Sequence, residues 1–224
     1  MYDIVFISYG ETYAEDNWNL LKSRFPTAKR VDGVKGIHQA HIKAAKKCFT
    51  KMFWVVDADA QLVDDFNFDY EVDDYNLETV HVWRSINPIN DLIYGYGGVK
   101  LLPRKLTINM DTSKADMTTS ISTQFKAIEQ ISNITAFNTD EFSTWRSAFR
   151  ECAKLSSKSI QGQIDEETEA RLTVWTTRSH GNYSEYALRG AWAGLEFGLS
   201  NGNDIQLIND FDWLYERFRQ NTLG

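Results

Sequence analysis

FWVVDADAQL, residues 53–62, is the stretch from which the fold is read: four apolar residues run straight into two carboxylates, Asp57 and Asp59, with only Ala58 between them. A carboxylate at the end of a buried strand is costly unless a cation or several hydrogen-bond donors receive it. Either the strand surfaces at Asp57, or something positive belongs at its end. Upstream, YDIVFISYG is β-branched and aromatic and ends in Gly10, which predicts a first strand and a loop. AEDNWNLLKSRF spaces Trp18, Leu21 and Phe25 as a helix that Pro26 stops, and AKRV reads as a second strand closed by Asp32-Gly33. GIHQAHIKAAKKCF puts Ile37, Ala40, Ala44, Cys48 and Phe49 on one helical face. Strand, helix, strand, helix, strand predicts a doubly wound parallel sheet. Such sheets take their ligands outside the carboxyl ends of the strands, where Asp57 and Asp59 fall.

Downstream the pattern is mixed. TVHVWRSI and GGVKLLP read as strands, and DEFSTWRSAFRECAKL as a helix with Phe142, Trp145, Phe149 and Cys152 inward. DEETEARLTVW, SEYALRGAWAGLEF and DFDWLYERF read as helices. The fold class expected is α/β, a mixed sheet flanked by helices, with residues 1–155 as the core and 156–224 as a helical C-terminal annex. The chain has 224 residues, 42% of them hydrophobic and 25% charged, which suits a globular protein with a real core. Its net charge of -7 argues against broad, non-specific attraction to nucleic acid and leaves room for a local basic face. No apolar run is long enough for a membrane span, and the first strand begins so early that no signal peptide is expected. The two cysteines, Cys48 and Cys152, read as reduced core residues of a cytoplasmic protein.

Asp-x-Asp at a strand end suits a hard divalent cation, Mn²⁺ or Mg²⁺, shared with substrate phosphates; the plain alternative is turn chemistry. Arg146, Arg150, Lys154 and Lys158 recur every four residues and form a basic stripe. It is either a solvated face making local ion pairs or a rail for phosphates, which Lys100, Arg104 and Lys105 would extend. Tyr94 and Tyr96, interleaved with glycines, either pack or stack on a sugar or base. Arg30 follows the first helix and meets either a nucleotide or an ion-pair partner. Of the histidines, His38 and His41 lie on the helix before the Asp-x-Asp strand, where His41 also reads as a satisfied helix position, and His81 reads as sheet structure.

The order of elements with its Asp-x-Asp strand resembles nucleotide-sugar-dependent glycosyltransferases of the GT-A type. More closely, FWVVDADA, GYGGVKLLP and FNTDEFSTWRSAFREC resemble small phage-encoded glycosyltransferases that modify DNA at 5-hydroxymethylcytosine. The likeness covers most of residues 2–155. It implies a GT-A-like single Rossmann-type mixed sheet, a UDP-sugar donor carrying glucose or arabinose, and a DNA acceptor met in the cytoplasm of an infected bacterial cell. It implies that Ser8, Tyr9 and Gly10, with Arg30, His38 and Asp57, hold the donor. Asp57, Asp59 and His180 would hold the Mn²⁺ or Mg²⁺ ion, and Asp140 would be the catalytic base, although Thr139-Asp140 stands where the family has Glu-Asp. Tyr96, Gly97, Gly98, Arg146 and Arg150 would face the acceptor. The Gln-x-x-Arg-Trp signature of processive synthases is absent, and the chain is too short for the two Rossmann-like domains of GT-B enzymes. Three rivals stand beside this reading: a GT-A enzyme with a glycan or protein acceptor, a non-catalytic nucleotide-sugar-binding module, and a nucleotidyltransferase. The last is disfavoured because SYGETYAED is poor in glycine.

Overall fold

The computed structural model of the chain describes residues 1–95, 97–160, 163–200 and 202–222. It divides into two compact units, the first of residues 1–86, 93–112 and 117–136, the second of residues 87–92, 113–116 and 137–224.

The first unit is α/β. In chain order it holds β1 (Asp3–Ser8), α1 (Ala14–Arg24), β2 (Lys29–Asp32), α2 (Ile37–Lys46), β3 (Met52–Asp57), β4 (Ala60–Leu62), β5 (Val80–Ile86), β6 (Ile93–Tyr94), β7 (Val99–Pro103), α3 (Arg104–Ile108), α4 (Met117–Ile121) and β8 (Phe125–Thr135). The strands form one open sheet in the order β2-β1-β3-β7-β5-β8-β4, with β6 alongside β5. β2, β1 and β3 are parallel, as the sequence predicts. Beyond them the sheet is mixed: β7 runs antiparallel to β3, β5 antiparallel to β7, and β8 parallel to β5. A parallel neighbour requires a crossover that carries the chain back across a face, and α1 and α2 supply those crossovers for the first three strands.

β3 shows why the opening stretch lacks alternation. Met52, Trp54 and Val56 join one core with Ile4, Phe6 and Leu21, while Phe53 and Val55 join another with Val5, Ala44 and Ala45. Leu21 belongs to α1 and the two alanines to α2, so a helix covers each face and every residue of the strand must be apolar until it ends. Trp54 anchors the first core, tilted on Trp83 at 4.5 Å and edge-on to Phe68 at 5.1 Å. One residue departs from its expected place: Phe49 is not on the inward face of α2. The helix ends at Lys46, and Phe49 is 88% exposed, with the Lys29 ammonium over its ring at 4.8 Å.

The second unit is helical: α5 (Glu141–Ser156), α6 (Asp165–Thr177), α7 (Ser184–Ser200) and α8 (Phe211–Thr222). Its core gathers Trp145, Phe149, Ala153, Phe197, Ile208 and Leu214. The division therefore falls at Ala136 rather than at 155, because α5 buries Trp145 and Phe149 among the C-terminal helices. Gly190, Gly194 and Gly198 place α7 directly against the backbone of α5. Cys48 and Cys152 are both buried free thiols, and burial pushes the Cys48 pKa up to about 12. Among the described residues no helix is long and apolar enough to cross a membrane.

Candidate functional site

Three neighbouring parallel strands of the first unit end in polar side chains: β2 in Asp32, β1 in Ser8 and β3 in Asp57. Ser8 is buried. Its hydroxyl donates to Asp32 Oδ1 at 2.5 Å and accepts from Arg30 Nε at 3.0 Å. The Arg30 guanidinium also pairs with Glu15 at 2.7 Å and lies over the Trp18 ring at 5.9 Å. Ser8 and Arg30 thus hold each other, and the group they present outward is Asp32, whose side chain is 60% exposed. Next in the chain Tyr9 is exposed, its amide donates to Glu11 Oε2 at 2.7 Å, and Gly10 turns the loop at a φ of 87°.

Asp57 answers the question its sequence poses. Its Oδ2 lies 2.6 Å from the ammonium of Lys100, a residue 3% exposed. The register explains the pairing. Lys100 on β7 stands opposite Val55, which shares a sheet face with Asp57 two residues on, so the lysine reaches diagonally across the strand pair. Lys100 also donates to the carbonyl of Gly97, and the amide of Asp57 donates to the carbonyl of Gly98 at 2.9 Å. Gly97 has a φ of 91°, where only glycine is unstrained, and a side chain on Gly98 would run into the Asn133 amide at 2.6 Å. Lys100 is therefore a buried charge at the carboxyl edge of β3 and does not extend a surface patch; Arg104 likewise donates inward, to the Ala45 carbonyl at 3.1 Å. Tyr96, expected at the acceptor, lies outside the described residues.

α2 adds two histidines to the same unit. His38 Nε2 is 3.1 Å from Ser120 Oγ. His41 is buried, and its Nδ1 must carry the proton because it donates to the Ile37 carbonyl at 2.8 Å. Its Nε2 is buried with no hydrogen-bond partner. Burial, reinforced by the Lys100 charge and only partly opposed by Asp57, pushes its pKa from 6.5 down to about 4. The unfolded chain then binds a proton that the folded chain refuses. The stability this contributes is whole above pH 6.5 and is lost as pH falls toward about 4, a total of roughly 3 kcal/mol. His41→Leu is expected to flatten that loss, read from urea unfolding midpoints across the window. Asp3, held down to about 2 against its own burial by Lys29 and by the amides of Phe49 and Thr50, acts in a separate window below the ordinary carboxylate range.

Asp59 sits in the two-residue turn between β3 and β4, its carbonyl accepting from the Ala136 amide at 2.7 Å. Mn²⁺ or Mg²⁺ was expected on Asp57, Asp59 and His180. As the residues stand, Asp57 does not fit a divalent cation, because an ammonium already sits on its carboxylate and would repel the ion.

The remaining expected residues belong to the second unit. Asp140 is the N-cap of α5: its carboxylate accepts from the Ser143 amide at 2.8 Å and from the Thr139 hydroxyl at 3.2 Å. Burial pushes its pKa up, but these hydrogen bonds outweigh it and hold the carboxyl below its ordinary range. His180 pairs with Asp91 at 3.0 Å, and its amide donates to the Ile89 carbonyl at 2.8 Å. The basic stripe resolves into local partners. Arg150 donates to the Ile208 carbonyl and to Asn209, Lys154 pairs with Glu151, and Lys158, beyond the helix end, pairs with Asp165. Arg146 lies over the rings of Phe142 and Phe211. Sequence reasoning passed over Asp32 and misplaced Lys100. The signal for the first was an acid closing a strand beside Ser8; for the second, a lysine inside the apolar run VKLL. Neither a protein-family model nor a curated protein matches the chain.

Proposed function

We propose that the chain is a GT-A-type glycosyltransferase that moves a sugar from a UDP-sugar to the hydroxymethyl group of 5-hydroxymethylcytosine in DNA. The observation that carries the donor half is the carboxyl edge of β2, β1 and β3, with Asp32, Ser8 and Asp57 side by side. An edge of this kind is where open α/β sheets hold nucleotides. Asp32 suits the ribose hydroxyls, and the exposed ring of Tyr9 suits the uracil. The acceptor half is supported by the resemblance of FWVVDADA, GYGGVKLLP and FNTDEFSTWRSAFREC to DNA-modifying phage enzymes. In the transfer, the hydroxymethyl oxygen bonds to the anomeric carbon as the bond to the diphosphate breaks. UDP leaves with that electron pair, and the hydroxyl proton passes to a base, for which Asp140 is proposed.

A second reading, a UDP-sugar-binding module without transfer, is favoured by the engagement of Asp140 as a helix cap. One assay separates them. The protein is incubated with a panel of UDP-sugars, with and without Mn²⁺, beside DNA with and without 5-hydroxymethylcytosine, and the digested nucleosides are weighed by mass spectrometry. A pentose or hexose gained only on the hydroxymethylated base, and lost in Asp32→Ala, is the expected result. UDP release without a mass gain would keep the transferase and discard DNA as acceptor. Neither signal from folded protein would leave the binding module.

A further inference from the structure

We propose that Lys100 is the resident counter-cation of Asp57, standing where a divalent metal ion would stand, so that this edge receives a donor diphosphate with no metal ion on Asp57. The second clause rests on the donor site proposed above; the first stands on geometry alone. The ammonium lies 2.6 Å from Asp57 Oδ2 and is held at the same time by the Gly97 carbonyl, so two acceptors fix it. It is 3% exposed, and its partners across the sheet, Val55 and Val82, carry no acceptor side chain to which it could retreat. A metal ion approaching Asp57 would have to expel a buried charge that has nowhere else in the strand pair to go. The neighbouring His41, with Nδ1 engaged and Nε2 buried, adds no exposed ligand that would compensate the ion for sharing the carboxylate.

Lys100 also explains how the edge stays organised. By bonding both Asp57 and Gly97 it ties the glycine turn before β7 to the end of β3, which is the work a metal ion shared between a carboxylate and a loop would otherwise do. One flank of Asp57 remains open, since its side chain is 34% exposed, and that flank faces whatever ligand the edge takes.

The test uses Mn²⁺ alone, followed by electron paramagnetic resonance as loss of the free-ion signal, on the full chain and on Asp57→Asn, Lys100→Met and Lys100→Arg. The wild type is expected to bind no Mn²⁺ that Asp57→Asn removes. Lys100→Met is expected to gain an Mn²⁺ site at least about tenfold tighter than any residual binding to the wild type, while Lys100→Arg gains none. Wild-type Mn²⁺ binding that Asp57→Asn abolishes would overturn the proposal. So would a folded Lys100→Met that gains no ion. Should Lys100→Met fail to fold by circular dichroism, the wild type against Asp57→Asn decides alone. In a second arm UDP is titrated calorimetrically with EDTA or with Mn²⁺. Affinities agreeing within about threefold support the metal-free edge, and a loss of about tenfold or more in EDTA that Asp57→Asn reproduces overturns it. If UDP binds under neither condition, the donor-site reading fails, and the Mn²⁺ arm still judges Lys100.

Discussion

Gly194→Ala is expected to destabilise the second unit by about 4 kcal/mol, above the usual range for overpacking because nothing flexible can yield. An added Cβ would sit against the backbone of Phe149 on α5, 2.8 Å from both its carbonyl carbon and its Cα. Gly190 meets Trp145 in the same way one turn earlier, and Gly198 meets Ala153 one turn later, so the two helices touch along their main chains. Phe149 lies in the same core as Phe197 and Leu214, and a forced separation would open that core as well. The sign is the test. Glycine to alanine inside an exposed helix stabilises by about 1 kcal/mol, so a variant as stable as the wild type in urea, or more so, would refute the close contact.

Asp140→Asn is expected to cut transfer by about a thousandfold while leaving the unfolding midpoint where it was. The two readouts separate the observed cap from the proposed base. As the N-cap of α5, Asp140 receives the Ser143 amide, and asparagine caps a helix as well as aspartate does. As the base, it must take a proton, which an amide cannot. Asp140→Ala, by contrast, loses the cap too and costs about 1 kcal/mol of stability. Because its hydrogen bonds hold the carboxyl below the ordinary range, Asp140 stays ionised through neutral pH, so transfer should not fall on mild acidification through protonation of this group. Full activity in Asp140→Asn would assign the residue to capping alone and move the search for the base elsewhere.

What was legible in the sequence follows from where the information is local. β1, α1, β2, α2 and β3 announce themselves through runs and spacings within a few residues, and so do α5 to α8. β8 escaped because FKAIEQISNIT carries Lys126, Glu129 and Gln130 on a strand exposed over its first half, with a register slip where it passes Arg84. The site divides the same way. Asp57 could be singled out because a carboxylate ending an apolar run is anomalous in place. Its partner could not, since Lys100 lies 43 residues on and joins it only through the diagonal of an antiparallel pair. The basic stripe stayed open between two readings for the converse reason. Its spacing is local, but Arg150 finds Ile208 and Asn209 far along the chain, and those acceptors have no pattern to read.

The short excursions of the chain, residues 87–92 and 113–116, have a bearing on how this protein can be taken apart. His180 draws on Asp91 and Ile89 from one of them, and Asn209 on the Ala115 carbonyl from the other. A gene fragment encoding only residues 137–224 would therefore lack two of its own pieces. The helical unit is compact without being modular: recombination or domain grafting at residue 136 would transplant an incomplete body, and inheritance of this unit requires inheritance of residues 87–92 and 113–116 as well.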